Sequence, residues 1–291
     1  MASLKEVKNR INSVKSTRKI TSAMKMVASS KLHQAQQRIE SMRPYQSSLA
    51  KIMNAFEASI EGAVSTPYVE VREVQRVALV VLSSNSSLCG GFNGNVIKKV
   101  KLLLEDYRKR GVEVVRIYAI GKKVADALRK VNSANVVDKS QILDHPSYDP
   151  VAEIAHELMQ AFVAGEIDAS YFVYHQFKSA ATQVLVDTQF LPIASASEEK
   201  LSASTTSSNF YIIEPGVETI AARIFPQVLS LQLYTAVLDS LASEHAARVI
   251  AMQVATDNAD ELLRQLQLQY NKTRQAAITA ELLDIVGGSM A

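Results

Sequence analysis

The fold is decided by residues 4–60, which read LKEVKNRINSVKSTRKITSAMKMVASSKLHQAQQRIESMRPYQSSLAKIMNAFEASI. An alternating spacing of three and four residues starts at Leu4 and selects mostly apolar side chains as far as Ile60. This repeat of about 3.5 residues is typical of a helix that pairs with another long helix, not of one lying on a globular core. Unbroken, it would span about 85 Å, so the sequence predicts a second long helix to cover it.

The predicted partner is the C-terminal helix, in which the same spacing runs from Ile224 to Ala280. The first 43 residues carry ten Lys or Arg against two Glu, a local net charge of +8. Residues 218–291 carry five basic and eight acidic residues, a net charge of −3. The opposite charges favour pairing, but each exposed ion pair contributes only about 0.2–1 kcal/mol, so most of the stability must come from the apolar positions.

The connection between the two helices predicts their direction. Because a globular region joins the end of the first helix to the start of the second, the helices should run antiparallel, with facing residue numbers adding to about 277. Residues 274–286 would then extend past the N-terminus as a single helix. Their apolar-rich end, AITAELLDIV at 277–286, predicts that other protein surrounds it.

Two irregularities interrupt the first helix. Polar Arg18, Thr21 and Lys25 occupy successive positions of the apolar repeat. This is either an ordinary coiled-coil defect or a segment that faces something other than the partner helix. Pro44 removes one backbone hydrogen bond and predicts a bend rather than an end, because the repeat resumes at Leu49.

Between the helices the pattern changes to that of an α/β domain. Strands are predicted at 76–82, 112–120, 134–137, 169–177 and 182–193, helices at 96–110, 122–131 and 150–164, a loop at 195–208 and an edge strand at 210–213. The alternation of strand and helix predicts a Rossmann-like layer, with its last two long strands antiparallel. The predicted fold class is therefore mixed α+β and α/β, a long antiparallel coiled coil with an inserted α/β domain. Its predicted parts are the N-terminal helix (1–61), the α/β domain (68–214) and the C-terminal helix (215–291).

Composition excludes several classes of protein. The chain is 47% hydrophobic and 21% charged, which suits a globular protein with a sizeable core. No apolar run approaches about 18 residues, so no transmembrane helix is expected, and the basic start lacks the apolar segment of a secretion signal. The basic N-terminal region has no interleaved aromatic residues and no DNA-binding motif, which favours an acidic protein surface over nucleic acid as its partner.

Candidates for catalysis or metal binding are few. The loop from Cys89 to Gly94, CGGFNG, has the position of a phosphate-binding turn but matches neither G-x-G-x-x-G nor a P-loop, so structural glycines are favoured. Cys89, the single cysteine, has no His or acid near it in sequence and is predicted to be a small buried thiol. The five histidines lack metal-ligand spacing, and His245, on the helical repeat, is predicted to be a partly buried core residue. No catalytic residue, metal or cofactor is predicted.

Four separated motifs carry a resemblance to a known family. They are KITSAMKMVASSK at 19–31, SLCGGFN at 87–93, SEHAARVIAM at 243–252 with ATDN at 255–258, and YNKTRQAAITAE at 270–281. In this order they resemble the gamma-subunit family of F-type ATP synthases, bacterial forms in particular. The resemblance implies a non-catalytic central rotor shaft that couples ion-driven rotation of the c-ring to conformational changes in three catalytic beta subunits.

The resemblance also implies partners, a location and residue roles. The partners would be the alpha3beta3 ring, the epsilon subunit and the c-ring, with membrane association only through this complex, on the cytoplasmic side of the bacterial inner membrane. Positions implied to contact the beta subunits or to stabilise the shaft are Met24, Glu244, Arg248, Gln275, Thr279 and Glu281. The basic face expected to meet acidic loops of the beta subunits consists of Lys15, Arg18, Lys19 and Lys25.

Residue chemistry alone leaves alternatives open. Glu244 and Arg248 could equally form an i, i+4 ion pair on a helix surface. Periodicity by itself favours a coiled-coil adaptor, and the inserted domain leaves a nucleotide-binding α/β enzyme as a further possibility.

Overall fold

The computed structural model of the chain describes residues 4–59, 67–131, 135–193 and 216–289. Two very long helices, α1 (Leu4–Ser59) and α5 (Val217–Ser289), lie at the two ends of the chain, as the repeat predicts. Helix α1 continues through Pro44, so this proline does not end it. The predicted loop at 195–208 and edge strand at 210–213 lie outside the described residues.

The chain divides into two units, and each long helix contributes to both. Unit 1 comprises Met1–Ser30 and Arg248–Ala291, and unit 2 comprises Lys31–Ala247. The boundaries at 1–61, 68–214 and 215–291 stay a prediction, since the division into units follows contacts between residues and not the ends of the helices.

Unit 2 is built on a five-stranded sheet of order β3-β2-β1-β4-β5. The strands are β1 (Arg76–Leu82), β2 (Glu113–Ile120), β3 (Val136–Asp138), β4 (Ala169–Phe177) and β5 (Gln183–Leu191). The helices are α2 (Phe92–Lys109), α3 (Lys122–Arg129) and α4 (Tyr148–Val163), with short 3-10 helices at Pro67–Val69 and Ser140–Leu143. All neighbouring strands are parallel except β4 and β5, which are antiparallel as predicted.

Apolar layers cover both faces of the sheet. In β1 every residue after Arg76 is buried, which agrees with its continuous apolar run. One layer includes Phe162 of α4, Phe172 of β4 and Leu233 of α5. The other includes Val96 of α2 and several residues of β2 and α3. Helix α5 is therefore part of the core of unit 2.

Helices α1 and α5 also pack against each other within unit 2. Leu32 and Ala35 of α1 form a small apolar cluster with Ala242 and Ala246 of α5. Small side chains allow two helices to approach closely. Further along the pair, Gln46 of α1 donates a side-chain hydrogen bond to the Thr235 hydroxyl of α5.

The largest difference from the predicted elements is the start of α2. The helix begins at Phe92, whereas the prediction placed its start at Val96. Phe92 is buried, and its ring stacks on His175 of β4 with 4.4 Å between ring centroids. This tertiary contact fixes the first helical turn in spite of the low helix propensity of Gly94.

The carboxyl ends of β1 and β2 approach each other tightly at a single glycine. Gly121 has a φ of 127°, and a Cβ added there would lie 2.6 Å from the carbonyl oxygen of Ser83. The hydroxyl of Ser83 accepts a hydrogen bond from the N–H of Val124 at 3.1 Å. Only glycine fits this position, so it fixes how α3 leaves the sheet.

Candidate functional site

Unit 1 holds most of the predicted site residues on the paired ends of α1 and α5. Its buried apolar side chains are Val7 and Ala28 of α1 and Met252, Ala259, Leu263 and Leu266 of α5. In α5 these residues are separated by seven, four and three positions, the spacing of a coiled-coil seam. The predicted pairing of the two chain ends is confirmed in this unit.

The three polar positions in the α1 repeat all contact α5. The contacts are Arg18 Nε to Asp260 Oδ1 at 2.9 Å, Thr21 Oγ1 to Thr256 Oγ1 at 2.9 Å, and a hydrogen bond from Lys25 Nζ to Gln253 Oε1. The hypothesis that this segment faces away from its partner helix is therefore wrong. The paired residue numbers add to 277 or 278, which confirms the predicted antiparallel register.

The outer face of the same segment combines apolar and basic side chains. Ile20, Met26 and Val27 are exposed by 60%, 65% and 59%, and Met24 beside them is partly buried. Lys15 and Lys19 are exposed and form no ion pair within the described part of the chain. Of the predicted basic face, Arg18 and Lys25 take part in the seam, whereas Lys15 and Lys19 point outward.

The C-terminal tip of α5 is exposed on all sides. Every side chain from residue 274 to 286 is exposed, including Gln275, Thr279 and Glu281, as predicted for a single helix. The only hydrogen bond described for these three side chains is local, from Thr279 Oγ1 to the Gln275 carbonyl at 2.9 Å. Large apolar side chains at the tip are 47–66% exposed: Ile278, Leu282, Leu283, Ile285 and Val286. A concentration of exposed apolar residues marks a surface for other protein.

The remaining predicted pair is buried. Glu244 of unit 2 is 6% exposed and Arg248 of unit 1 is 9% exposed. Both take part in interactions within the chain. The alternative of a pair on an exposed helix surface is therefore wrong, and charges buried to this depth need partners.

The loop after β1, which the sequence offered as a phosphate-binding turn, is filled by its own side chains. Asn93 accepts a hydrogen bond from the Ser84 N–H at 3.0 Å and donates to the Ser86 carbonyl at 3.3 Å and to Cys89 Sγ at 3.1 Å. The N–H of Phe92 is bonded to the Cys89 carbonyl. Cys89 is 1% exposed, as predicted for a small buried thiol. The loop interior therefore holds no open cradle for a phosphate.

A polar cavity of about 350 Å³ lies beside this loop, within unit 2. Its charged or titratable lining residues are Lys31 and Arg38 of α1, Asp144, and Glu244 and His245 of α5. Asn85 donates to Asp144 Oδ1 at 3.0 Å across its wall. His245 is 8% exposed, which confirms the predicted core histidine. Two cations balance two carboxylates, so the cavity has no clear preference for an ion of either sign.

Two titratable residues inside unit 2 have shifted pKa values that the sequence did not predict. His175 is 3% exposed under the Phe92 ring, and burial lowers the pKa of its imidazole to about 4. Burial raises the pKa of Asp239 to about 6, and the nearby Arg43 opposes this rise. Their surroundings come from strand and helix packing, so no local motif could have identified them.

The described ranges contain neither a helix that could span a membrane nor a cluster of metal-binding side chains. Over residues 4–59, 67–131, 135–193 and 216–289, no helix combines the length and the hydropathy that a membrane span requires. The same ranges contain no group of three His, Cys, Asp or Glu arranged to hold a metal ion.

The fold and its contacts define a class of protein: one whose terminal helices pair antiparallel and whose middle is an α/β domain. The family model described as "ATP synthase" matches residues 3–291. The ATP synthase gamma chain of Bacteroides thetaiotaomicron is 52% identical, with both chains covered over 100% of their length. That of Flavobacterium johnsoniae is 47% identical over 100% of this chain and 99% of the relative. The chain belongs to the ATP synthase gamma chain family, which confirms the resemblance seen in its four motifs.

Solved structures agree with this assignment. A chain of the Tetrahymena thermophila mitochondrial ATP synthase, in a structure of its central stalk and c-ring, is 25% identical with a TM-score of 0.61. The match covers 81% of this chain and 99% of that one. A chain of the Euglena gracilis mitochondrial ATP synthase matches with a TM-score of 0.64 at 21% identity, over 99% of this chain and 93% of the other, and supports the fold.

Proposed function

We propose that this chain is the central rotor of an ATP synthase. It would couple rotation of the membrane c-ring to conformational changes of catalytic beta subunits in a ring of three alpha and three beta subunits. The observation that carries the proposal is the match to gamma chains over the full length of this chain, its paired ends included. The antiparallel seam of unit 1 supports it, because a shaft must resist twisting along its length.

The exposed surfaces of unit 1 suit a shaft enclosed by other subunits. The apolar side chains of the tip and Met26 with Val27 on α1 would be covered by the alpha and beta subunits. Lys15 and Lys19 would face acidic loops of the beta subunits, as opposite charges steer such contacts. Arg18 and Lys25 would combine this role with their bonds to α5.

The residues implied by motif divide between two roles in this proposal. Gln275, Thr279 and Glu281 on the exposed tip would contact the ring, and Met24 would pack beside that contact. The buried Glu244 and Arg248 would stabilise the shaft itself. The α/β domain of unit 2 would bind the epsilon subunit and rest on the c-ring.

The chain would have no catalytic site of its own, and it would bind the membrane as a peripheral protein through its partners, on the cytoplasmic side of a bacterial inner membrane. The filled loop of Ser84 to Asn93 supports a non-catalytic role, because an α/β enzyme acting on nucleotides would need that turn open to phosphate.

Single-molecule rotation tests the proposal. The chain, with a bead attached to its α/β domain, is assembled with alpha and beta subunits and given ATP. Rotation in one direction, in three equal steps, is expected. Assembly without rotation would contradict the rotor role, and failure to assemble at all would favour an adaptor function.

A further inference from the structure

The charges of unit 2 are divided unequally along its sequence. Residues 92–131 contain eleven Lys or Arg and four Asp or Glu, a net charge of +7. Residues 135–193 contain two basic and eight acidic residues, a net charge of −6. All the basic residues of the first segment except Arg116 lie on α2, on α3 or directly after one of these helices. Both helices pack on one face of the sheet, where Val96 of α2 and Val124 of α3 share an apolar layer, so that side of the domain is basic.

Most of these cations have no carboxylate partner. Lys99, Arg110 and Arg129 form ion pairs. The seven others on or directly after the two helices form no ion pair among the described residues, and six of them are exposed. We call these seven the α2–α3 surface: Lys98, Lys101, Arg108, Lys109, Lys122, Lys123 and Lys130. Because their charges are not neutralised within the described chain, they attract an anionic partner over about 8–10 Å at moderate salt.

The α2–α3 surface contains a groove of about 690 Å³ between the C-terminal ends of the two helices. Lys101 and Arg108 line the groove from α2, and Val131 lines it from the end of α3. Glu105 and Glu113 line it too, so the groove itself is close to neutral and the excess positive charge lies on the surface around it. An anion entering the groove would meet two cations beside an apolar wall, in the positive field of the surrounding lysines.

The uncharged side chains of this surface narrow the choice of partner. Leu102 of α2 is 55% exposed and Val131 is 56% exposed. None of the three aromatic residues between positions 92 and 131 is exposed. Single-stranded nucleic acid is held by stacking on aromatic side chains, and the central contacts of protein interfaces are rich in Trp and Tyr. Lys and Arg around exposed aliphatic side chains are instead typical of a surface that lies on an anionic lipid bilayer.

We infer that the α2–α3 surface binds the phosphate groups of anionic phospholipids at a membrane surface. Arg108 and Lys109 contact the headgroups, and Leu102 and Val131 enter the boundary between headgroups and acyl chains. The choice of a membrane rests on the proposed function, since a rotor that stands on the c-ring holds its α/β domain close to the bilayer. This contact adds to the attachment through partner subunits, and it uses none of the residues proposed to meet the alpha and beta subunits.

Binding to vesicles tests the inference. The complex of this chain with alpha and beta subunits, in which α1 would be enclosed, is sedimented with vesicles of phosphatidylglycerol mixed with phosphatidylcholine. Each basic side chain close to an anionic bilayer strengthens binding about fivefold, so Arg108→Gln with Lys109→Gln should weaken binding about 10–30-fold. Binding of the wild type should fall as salt is added and should be lost on vesicles of phosphatidylcholine alone.

The matched control is Lys178→Gln with Arg223→Gln, which makes the same change in net charge. Both side chains are exposed in unit 2 but lie outside the α2–α3 surface. Because the attraction is short-ranged, this control should bind vesicles within about twofold of the wild type. Equal losses in the two variants would overturn the inference, since net charge alone would explain them.

Two further outcomes would also overturn the inference. One is equal binding of the wild type to both kinds of vesicle. The other is no vesicle binding by the wild type, together with weaker binding of the epsilon subunit or the c-ring by the Arg108 and Lys109 variant, which would make this surface a protein contact. Rotation of the wild-type complex in solution is measured separately. Normal rotation without vesicle binding would therefore remove the lipid contact and leave the rotor function standing.

Discussion

At the scale of single residues, the interior of unit 2 contains two titratable groups, His175 and Asp239. Their contributions to folding stability change in opposite directions as the pH changes. His175 prefers its neutral form because it is buried, so its contribution to stability is lost as the pH falls below 6.5 towards about 4. Asp239 also prefers its neutral form, but for a carboxyl group this means the protonated one. Its neighbours include Arg43 of α1 and Tyr174 of β4.

Replacing Asp239 should stabilise the chain at neutral pH. Between pH 3.8 and about 6, Asp239 is protonated in the folded state and deprotonated in the unfolded state. The stability of the fold therefore falls as the pH rises through this window. Asparagine is neutral at every pH, so the Asp239→Asn variant should be more stable than the wild type at pH 7.5 by about 1–2 kcal/mol. This is less than the free energy that corresponds to the whole pKa shift, because water reaches part of the carboxyl group. Urea unfolding at pH 4 and pH 7.5 measures this difference.

The control for this prediction is the low-pH measurement itself. At pH 4 the wild-type carboxyl is largely protonated in the folded chain, so the advantage of the asparagine should shrink. An advantage of equal size at both pH values would show that packing, and not the charge of Asp239, explains the effect.

At the scale of elements, the seam of unit 1 alternates buried apolar residues with polar pairs. Met252, Ala259, Leu263 and Leu266 supply the apolar part, and Thr21 with Thr256 supplies a matched hydroxyl pair. A polar pair in a seam selects one register, because any slip would leave hydroxyl groups opposite apolar side chains. The apolar residues supply most of the stability, and the polar pairs determine which residues face each other.

Truncating one seam residue should destabilise unit 1 far more than truncating its exposed neighbour. Leu263 is 6% exposed and Leu262 is 44% exposed. We expect Leu263→Ala to cost about 2–3 kcal/mol and Leu262→Ala less than about 1 kcal/mol. Hydrogen exchange of residues 248–266 in the isolated chain measures both. Similar losses of protection in the two variants would contradict the assignment of the seam.

At the scale of the whole molecule, charge is unevenly distributed along a chain whose overall net charge is only +3. The excess of basic residues lies in the first 43 positions, where Lys15 and Lys19 remain free of ion pairs among the described residues. Such a surface attracts an acidic partner over a distance of several ångströms, and salt weakens the attraction.

Reversing these charges should weaken torque coupling in the assembled complex. We expect Lys15→Glu with Lys19→Glu to lower ATP-driven rotary torque several-fold at low ionic strength, with a smaller effect at high salt. Lys25→Glu should also weaken the seam, since Lys25 bonds to Gln253. The matched control is Lys98→Glu with Lys101→Glu on α2, which makes the same change in net charge. Unchanged rotation in the Lys15 and Lys19 variant would refute the basic-face assignment.

The sequence by itself determined the long paired helices, the antiparallel register near 277, the succession of strands and helices along the chain, and the family. The helices, the strands and the family follow from a local period or a contiguous motif, which can be recognised without knowing what lies nearby in space. The register follows from the connection that joins the end of the first helix to the start of the second. Only the tertiary structure decided that Arg18, Thr21 and Lys25 face α5 and that Phe92 starts α2. It also decided that Glu244 and Arg248 are buried, and that Leu88 is exposed although its backbone has a positive φ. These features depend on contacts between residues far apart in the chain, and such contacts set burial, pKa and backbone strain without leaving a repeat in the sequence.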